Sequence, residues 1–166
     1  MLRHPYRLAI ALLLFGLAFG QAQDAKDKGK DKEKFTPTKE EQEIVDYTNA
    51  ERAKLKLPAL TPDPLLFKCA HLHSENQAKQ KMLAHVLDGK NWENRIDAVG
   101  YDWKHCAENL SQINTWDAKK VVSSWMTSKD HRPNIVDKES TQIGIGIVKK
   151  DGIYYITQVF ATPQDK

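Results

Sequence analysis

The chain has 166 residues, 40% of them hydrophobic, with four Trp, five Tyr and five Phe, which suits one packed domain and excludes a wholly disordered or fibrous protein. Its formal net charge is +3, from 25 Lys and Arg against 22 Asp and Glu. The excess sits at the N-terminus: without Arg3, Arg7 and the five Lys and four acids of residues 24–34, 18 basic and 18 acidic side chains remain, a balance that argues against nucleic-acid binding driven by counterion release.

Arg3 and Arg7 precede the apolar run Leu8–Gly20, which is followed by Gln21-Ala22-Gln23. A basic start, a short apolar stretch and small residues at Gly20 and Ala22 read as a secretory signal over residues 1–22. A retained membrane anchor is the alternative, but 13 helical residues rise only about 20 Å, short of a hydrocarbon core of about 30 Å. The protein is expected outside the cytoplasm, secreted or periplasmic, with no stable membrane span after cleavage. Residues 23–35 contain DAKDKGKDKEK, whose alternating charges cannot bury apolar surface, and read as a flexible linker. The folded domain is expected over 36–166.

Thr38 with Glu41 three residues later forms a capping box for a helix to about Lys56, ended by Pro58. Its apolar positions, Ile44, Tyr47 or Thr48, and Leu55, cover only part of one face, so it should lie on the outside of a core. Asp63-Pro64 opens a second helix to about Met82, with Leu65 or Leu66, Cys69, Leu72 or His73, and Asn76 at helical spacing. Residues 92–99 suit a short helix closed by Gly100. Thr115 or Asp117 caps a fourth helix, with Val121, Val122 and Trp125 as its buried stripe. A polar segment follows from Ser128 to Asn134. Ile143-Gly-Ile-Gly-Ile-Val148 and residues 153–161 alternate as strands around the hairpin turn Asp151-Gly152. With one more strand near Glu108 to Ser111, helices come first and strands last, an α+β arrangement with a mainly antiparallel sheet.

Several motifs in this order resemble the CAP superfamily, which gathers cysteine-rich secretory proteins, antigen 5 and pathogenesis-related 1 proteins. They are His73-Ser74, Leu83-Ala-His85, Asp88-Gly89, Arg95, Gly100-Tyr101, Ala107-Glu108-Asn109-Leu110, Val121 to Ile135 around Trp125 and His131, Ile143-Gly-Ile-Gly146, and Tyr155 to Phe160. The chain is similar to short bacterial secreted members from about Glu40 to Thr162. The resemblance implies a three-layer α-β-α sandwich whose open cleft is lined by two histidines and one or two acids able to hold a divalent metal, often zinc. Carried over by motif, these are His85, Glu108 and His131, with Asn109 and Ser128 also at the cleft. A second acid of many eukaryotic members falls on Ser128, and Ala107 stands where the motif has Gly.

Two neutral imidazoles, a carboxylate and water make an open zinc site of the kind used in Lewis-acid hydrolysis. The spacing of His85, Glu108 and His131 does not by itself bring them together, and each histidine can equally be a surface residue tying down a loop. Ser128 and Ser74 lie near histidines, but neither sits in a GxSxG elbow. Ser128 and Thr127 suit the end of a helix instead.

Cys69 and Cys106, an even count in an exported chain, suggest a disulfide, stabilising by roughly 4 kcal/mol in the chain-entropy picture. A Cys2His2 zinc site from Cys69, His73, His105 and Cys106 is the rival reading. His71 reads as exposed, and His73 as packed near the sheet. Trp92, Trp103, Trp116 and Trp125 are candidates for an aromatic sugar or lipid platform, but Trp125 suits the core better, and Trp103 and Trp116 either rim a groove or pack ordinarily.

The preferred expectation is a secreted, non-enzymatic binding module whose cleft takes a divalent metal, Zn2+ first, and an extended or lipid-like extracellular ligand (lipid, peptide or glycan). The alternatives are a metal-assisted hydrolase of peptide or cell-wall material, with Glu108 as base, and an envelope interaction protein held by an uncleaved leader.

Overall fold

The computed structural model describes residues 35–165, so the signal and all but the last residue of the linker lie outside the described residues. The elements in chain order are α1 (Lys39–Lys54), β1 (Thr61–Pro62), α2 (Pro64–Gln80), α3 (Trp92–Ala98), β2 (Trp103–Ile113), α4 (Ala118–Thr127), α5 (Arg132–Ile135), β3 (Gln142–Lys150) and β4 (Ile153–Pro163). Helix starts follow local chemistry: Thr38 and Glu41 close a reciprocal capping box, Asp63 accepts from Leu65 and Leu66 N–H, and Asp117 accepts from Lys120 N–H.

The sheet order is β1-β3-β4-β2, with β1 parallel to β3 and the other pairs antiparallel. Asp151 and Gly152, both at positive φ, turn β3 into β4, and β2 forms one edge. The alternation in β3 divides the sheet into two faces. Ile143 and Ile145 face α1 and α4, sharing a buried cluster with Ile44, Val45, Val121, Val122 and Trp125. Gly144 and Gly146 face α2, so closely that a Cβ would stand 2.1 Å from Leu66 C at Gly144 and 2.2 Å from Ala70 C at Gly146. No side chain fits there, so α2 lies with its backbone against the sheet. It is fixed by Ser74, whose Oγ is 2.9 Å from both Gly146 O and Thr157 Oγ1, and by Gln77, which donates to Thr157. A second apolar cluster on this face joins Leu66, Cys69, Ala70, Ile96 and Tyr101 to Val159 and Ala161. Helices thus cover both faces, the three-layer α-β-α sandwich expected.

The structure differs from the expected elements where long-range contacts decide. Strand β2 extends well beyond residues 108–111 because its whole length pairs with β4. The polar segment 128–134 contains the start of α5. Tyr47 on α1 and Leu55 just past its end are exposed, and Arg52 is buried instead. The Arg52 guanidinium donates to the carbonyls of Pro58, Ile135, Asp137 and Ser140, pinning the chain on either side of α5. Desolvation lowers the Arg52 pKa, partly offset by Asp137.

Candidate functional site

A cleft of about 520 Å³ opens along the β2 edge, walled by His85, Trp92, Glu108, His131, Asn134 and Asp137 among others. Each comes from a different part of the fold. His85 follows α2, Trp92 opens α3, Glu108 lies mid-β2, and His131 precedes α5.

Glu108 is the centre of the arrangement. Its side chain is fully buried, yet both oxygens are paired: Oε2 accepts from Arg95 at 2.5 Å and Oε1 from His85 Nδ1 at 2.9 Å. A third side chain, His73, brings Nε2 to 4.0 Å from Oε1 and donates to Ala84 O at 3.0 Å. Burial satisfied in this way avoids the several kcal/mol that an unpaired interior carboxylate costs. Arg95 also donates to His85 O and Lys90 O, so one guanidinium holds both the acid and the loop carrying the histidine. His85 Nδ1 donates to the carboxylate, so Nε2 is the nitrogen left for another partner. The ring is 43% exposed and meets Trp92 edge-on at 5.8 Å.

His131 approaches from the other side. Burial lowers its pKa, and the proximity of His85 lowers it further, against a raising influence of Asp130. The ring is therefore neutral at neutral pH. Its backbone is held by two groups expected at the cleft that the structure places behind it. Ser128 Oγ accepts from Asp130 N–H and His131 N–H at 3.3 Å each, and fully buried Asn109 donates to His131 O. Asn109 faces away from Glu108 because successive strand residues point to opposite faces.

The structure thus gathers His85, Glu108 and His131 at one cleft. The donor chemistry fits a metal held by the two imidazoles with water or ligand atoms. Glu108 is set apart from them: its side chain is fully enclosed, and each oxygen already accepts from a protein donor. Among the described residues no group of three or more His, Cys, Asp or Glu is arranged to hold a metal.

The Cys2His2 alternative is not assembled. His73 is bonded to Ala84, while His105 turns to Asp137, 2.7 Å away, and Glu139, 3.7 Å away. Cys69 and Cys106 are unbonded thiols in one apolar cluster, both pushed up to about 12 chiefly by burial. Of the tryptophans, only Trp92 lines the cleft. Trp125 is core and donates to Leu110 O, Trp116 donates to Glu43 and packs on Tyr154, and Trp103 donates to Asp97. In the sequence Arg95 stands only as one residue of the motif order, with no partner attached, and Trp92 only as one of four candidate platform tryptophans. The available signal for Arg95 was the need of a buried acid for a cation.

The family model described as "Cysteine-rich secretory protein family" (CAP) matches residues 45–160. An uncharacterized Bacillus subtilis (strain 168) protein, YkwD, is 32% identical over 122 residues, 72% of this chain and 46% of that protein. The chain spans less than half the length of the curated relatives it matches. An outer surface protein of Borrelia burgdorferi shares the fold with a TM-score of 0.71 at 24% identity, over 78% of this chain and 97% of that one. An extracellular protein of Bacillus anthracis containing an SCP domain gives 0.68 at 24% identity, over 74% and 40%. No helix among the described residues is long and apolar enough to cross a membrane.

Proposed function

The chain belongs to the CAP, or cysteine-rich secretory protein, family, and from that premise we propose that it is an exported, non-enzymatic binding module whose cleft takes a divalent metal, zinc first, and an extended or lipid-like ligand. The observation that carries this reading is the closed pairing of Glu108 with Arg95 and His85. A general base needs an oxygen within reach of the water it activates, and Glu108 is fully enclosed with Arg95 on one oxygen and His85 on the other. The carboxylate instead orients His85, as buried acids do behind metal-binding histidines. His85 Nε2 and the His131 imidazole would hold the ion, and bound zinc would supply Lewis acidity at the open coordination positions. The metal-assisted hydrolase reading requires water to reach the enclosed Glu108 carboxylate. Export through a signal over residues 1–22, a spacer over 23–35 and a Cys69–Cys106 disulfide belong to the same proposal. The two thiols already share one cluster, and their bond would tie α2 to the strand carrying Glu108.

One experiment on the exported protein tests this reading. Its intact mass, with and without reductant, reports cleavage near Ala22 and the disulfide. Zinc calorimetry on the stripped sample should then show one site, of the modest affinity two imidazoles give, lost in both His85→Ala and His131→Ala. No binding, or binding indifferent to either change, retires the metal.

A further inference from the structure

Strand β2 ends the sheet, and only its β4 side is paired. The register fixes which of its peptide groups point the other way. Asp63 N–H donates to Ile143 O, so Ile143 turns its peptide groups toward β1, and Gly144, next in the strand, turns toward β4. In an antiparallel ladder, pairs that exchange both hydrogen bonds alternate with pairs that exchange none. Gly144 and Val159 are therefore a bonded pair, and Phe160 and Gln158, on either side of Val159, point to Ala107 and Asn109 of β2. Ala107 and Asn109 spend their N–H and C=O groups on β4, which leaves those of Cys106, Glu108 and Leu110 pointing outward.

Open strand edges invite another chain, and proteins commonly block them. Most of this edge is blocked by side chains: Trp103 O accepts from Gln164 Nε2, Glu108 O from Asn134 Nδ2 and Leu110 O from Trp125 Nε1. The exception falls in the cleft, whose lining takes in residues 105–108 of β2. Among the described residues nothing bonds the outward N–H and C=O of Cys106, or the N–H of Glu108. Cys106 is half-buried and its side chain packs inward on the Leu66 and Ile96 cluster, leaving its peptide groups at the open edge. His85 bonds Glu108 on one face of β2, while Asp137 reaches His105 and Asn134 reaches Asn109 on the other. The unpaired edge is thus the floor between the two walls.

We propose that the cleft takes an extended peptide, which adds to β2 as an antiparallel strand at Cys106. One ligand residue donates its N–H to Cys106 O and accepts from Cys106 N–H, and the carbonyl two residues along accepts from Glu108 N–H. Asn134, already on Glu108 O, ends the pairing there. In this mode main-chain bonds give affinity and alternate side chains give specificity. The residue opposite Cys106 shares its face of the sheet, so an apolar side chain there meets Trp92, which packs on the same cluster as Cys106. The proposal rests on the cleft being a ligand site and narrows its occupant to a peptide. It does not rest on zinc, and a Cys69–Cys106 bond engages the thiol without touching the peptide groups.

The test titrates the nitrogen-labelled exported chain with acetyl-Thr-Val-Thr-Val-Thr amide up to millimolar concentration and follows the backbone amide resonances. Those of Cys106 and Glu108 should shift saturably and gain protection from hydrogen exchange. Two further peptides, N-methylated on every Thr or on every Val, leave the protein unchanged and separate strand pairing from side-chain contact. Only alternate amides of an added strand face β2, so one methylated peptide should bind at least about tenfold more weakly and the other should keep the parent affinity. Equal losses in both, or no loss in either, would overturn the proposal. Shifts confined to the His85 and His131 rings would overturn strand addition while leaving the cleft a ligand site. No saturable shift at any cleft residue would overturn the peptide as its occupant, a result separate from the zinc titration. A Cys106 amide shift that depends on protein concentration without peptide would assign the edge to a second copy of this chain and overturn the proposal as well.

Discussion

Glu108 and Asn109 are neighbours in β2, yet they organise opposite faces of the sheet by different chemistry. On the Glu108 side the partners are charged or titratable, Arg95, His85 and His73, and the network reaches solvent through the half-exposed His85 ring. On the Asn109 side every partner is neutral: Asn109 donates to Gln158 and His131 O, accepts from Asn134, and Gln158 continues to Thr48 on α1. The first network stores charge where a ligand can feel it. The second has no charge to respond with, and holds the His131 backbone in place. The cleft thus sets one histidine on a responsive mount and the other on a fixed one.

The comparison breaks most sharply at Arg95. Arg95→Ala leaves the Glu108 carboxylate buried without its cation, and a broken buried pair costs about 3–5 kcal/mol. Urea unfolding should show that loss, and Glu108→Gln in the same chain should recover much of it, because the uncompensated charge is then gone. If Arg95→Ala costs no more than an ordinary surface change, Glu108 is not held as a charged group and the contrast between the two faces fails.

Asn109→Ala comes next, at about 2–3 kcal/mol, since it strands buried partners without removing a charge. No neutralising second change should rescue it, in contrast to Arg95. The variant should also weaken whatever binding depends on His131 while leaving the His85 resonances near their native positions. Equal displacement of both histidines would show that the two networks are one.

Much of this framework is legible in the sequence because it obeys local rules. The capping box at Thr38, Asp63-Pro64, Asp117, Asp151-Gly152 and the Ile-Gly alternation from Ile143 each need only near neighbours to be read. The resemblance of motifs then places His85, Glu108 and His131 at one cleft. The pairing inside the cleft is not legible in that way. Arg95 meets Glu108 only because α3 and β2 pack together, and Arg52 is buried because the carbonyls of Ile135, Asp137 and Ser140, distant in the chain, converge on it. Asn109 and Ser128 are the instructive cases: their place in the motifs marks them as important, but strand alternation and a helix end put both behind the wall as supports.

The smallest expected effect is on pH dependence, and it separates the two faces by titration. His73, on the Glu108 side, has its pKa lowered from 6.5 first by burial, with Glu108 opposing. His131, on the Asn109 side, is lowered first by burial and then by His85. A histidine whose folded pKa lies below its unfolded one binds fewer protons when folded, so its stability contribution is intact above about pH 6.5 and declines as the pH falls below that value. Stability should therefore drop between about pH 7 and 5, by an amount of order 1 kcal/mol per unit of pKa difference. The test is the urea midpoint across that range for the wild type, His131→Gln and His73→Gln. His131→Gln removes a partly exposed ring, so it should flatten the slope only slightly. His73→Gln, which removes a ring that is wholly enclosed, should flatten it more while lowering stability at neutral pH. A steeper contribution from His131 than from His73 would mean that the responsive side of β2 is the Asn109 side, and would reverse the assignment of the fixed and responsive mounts.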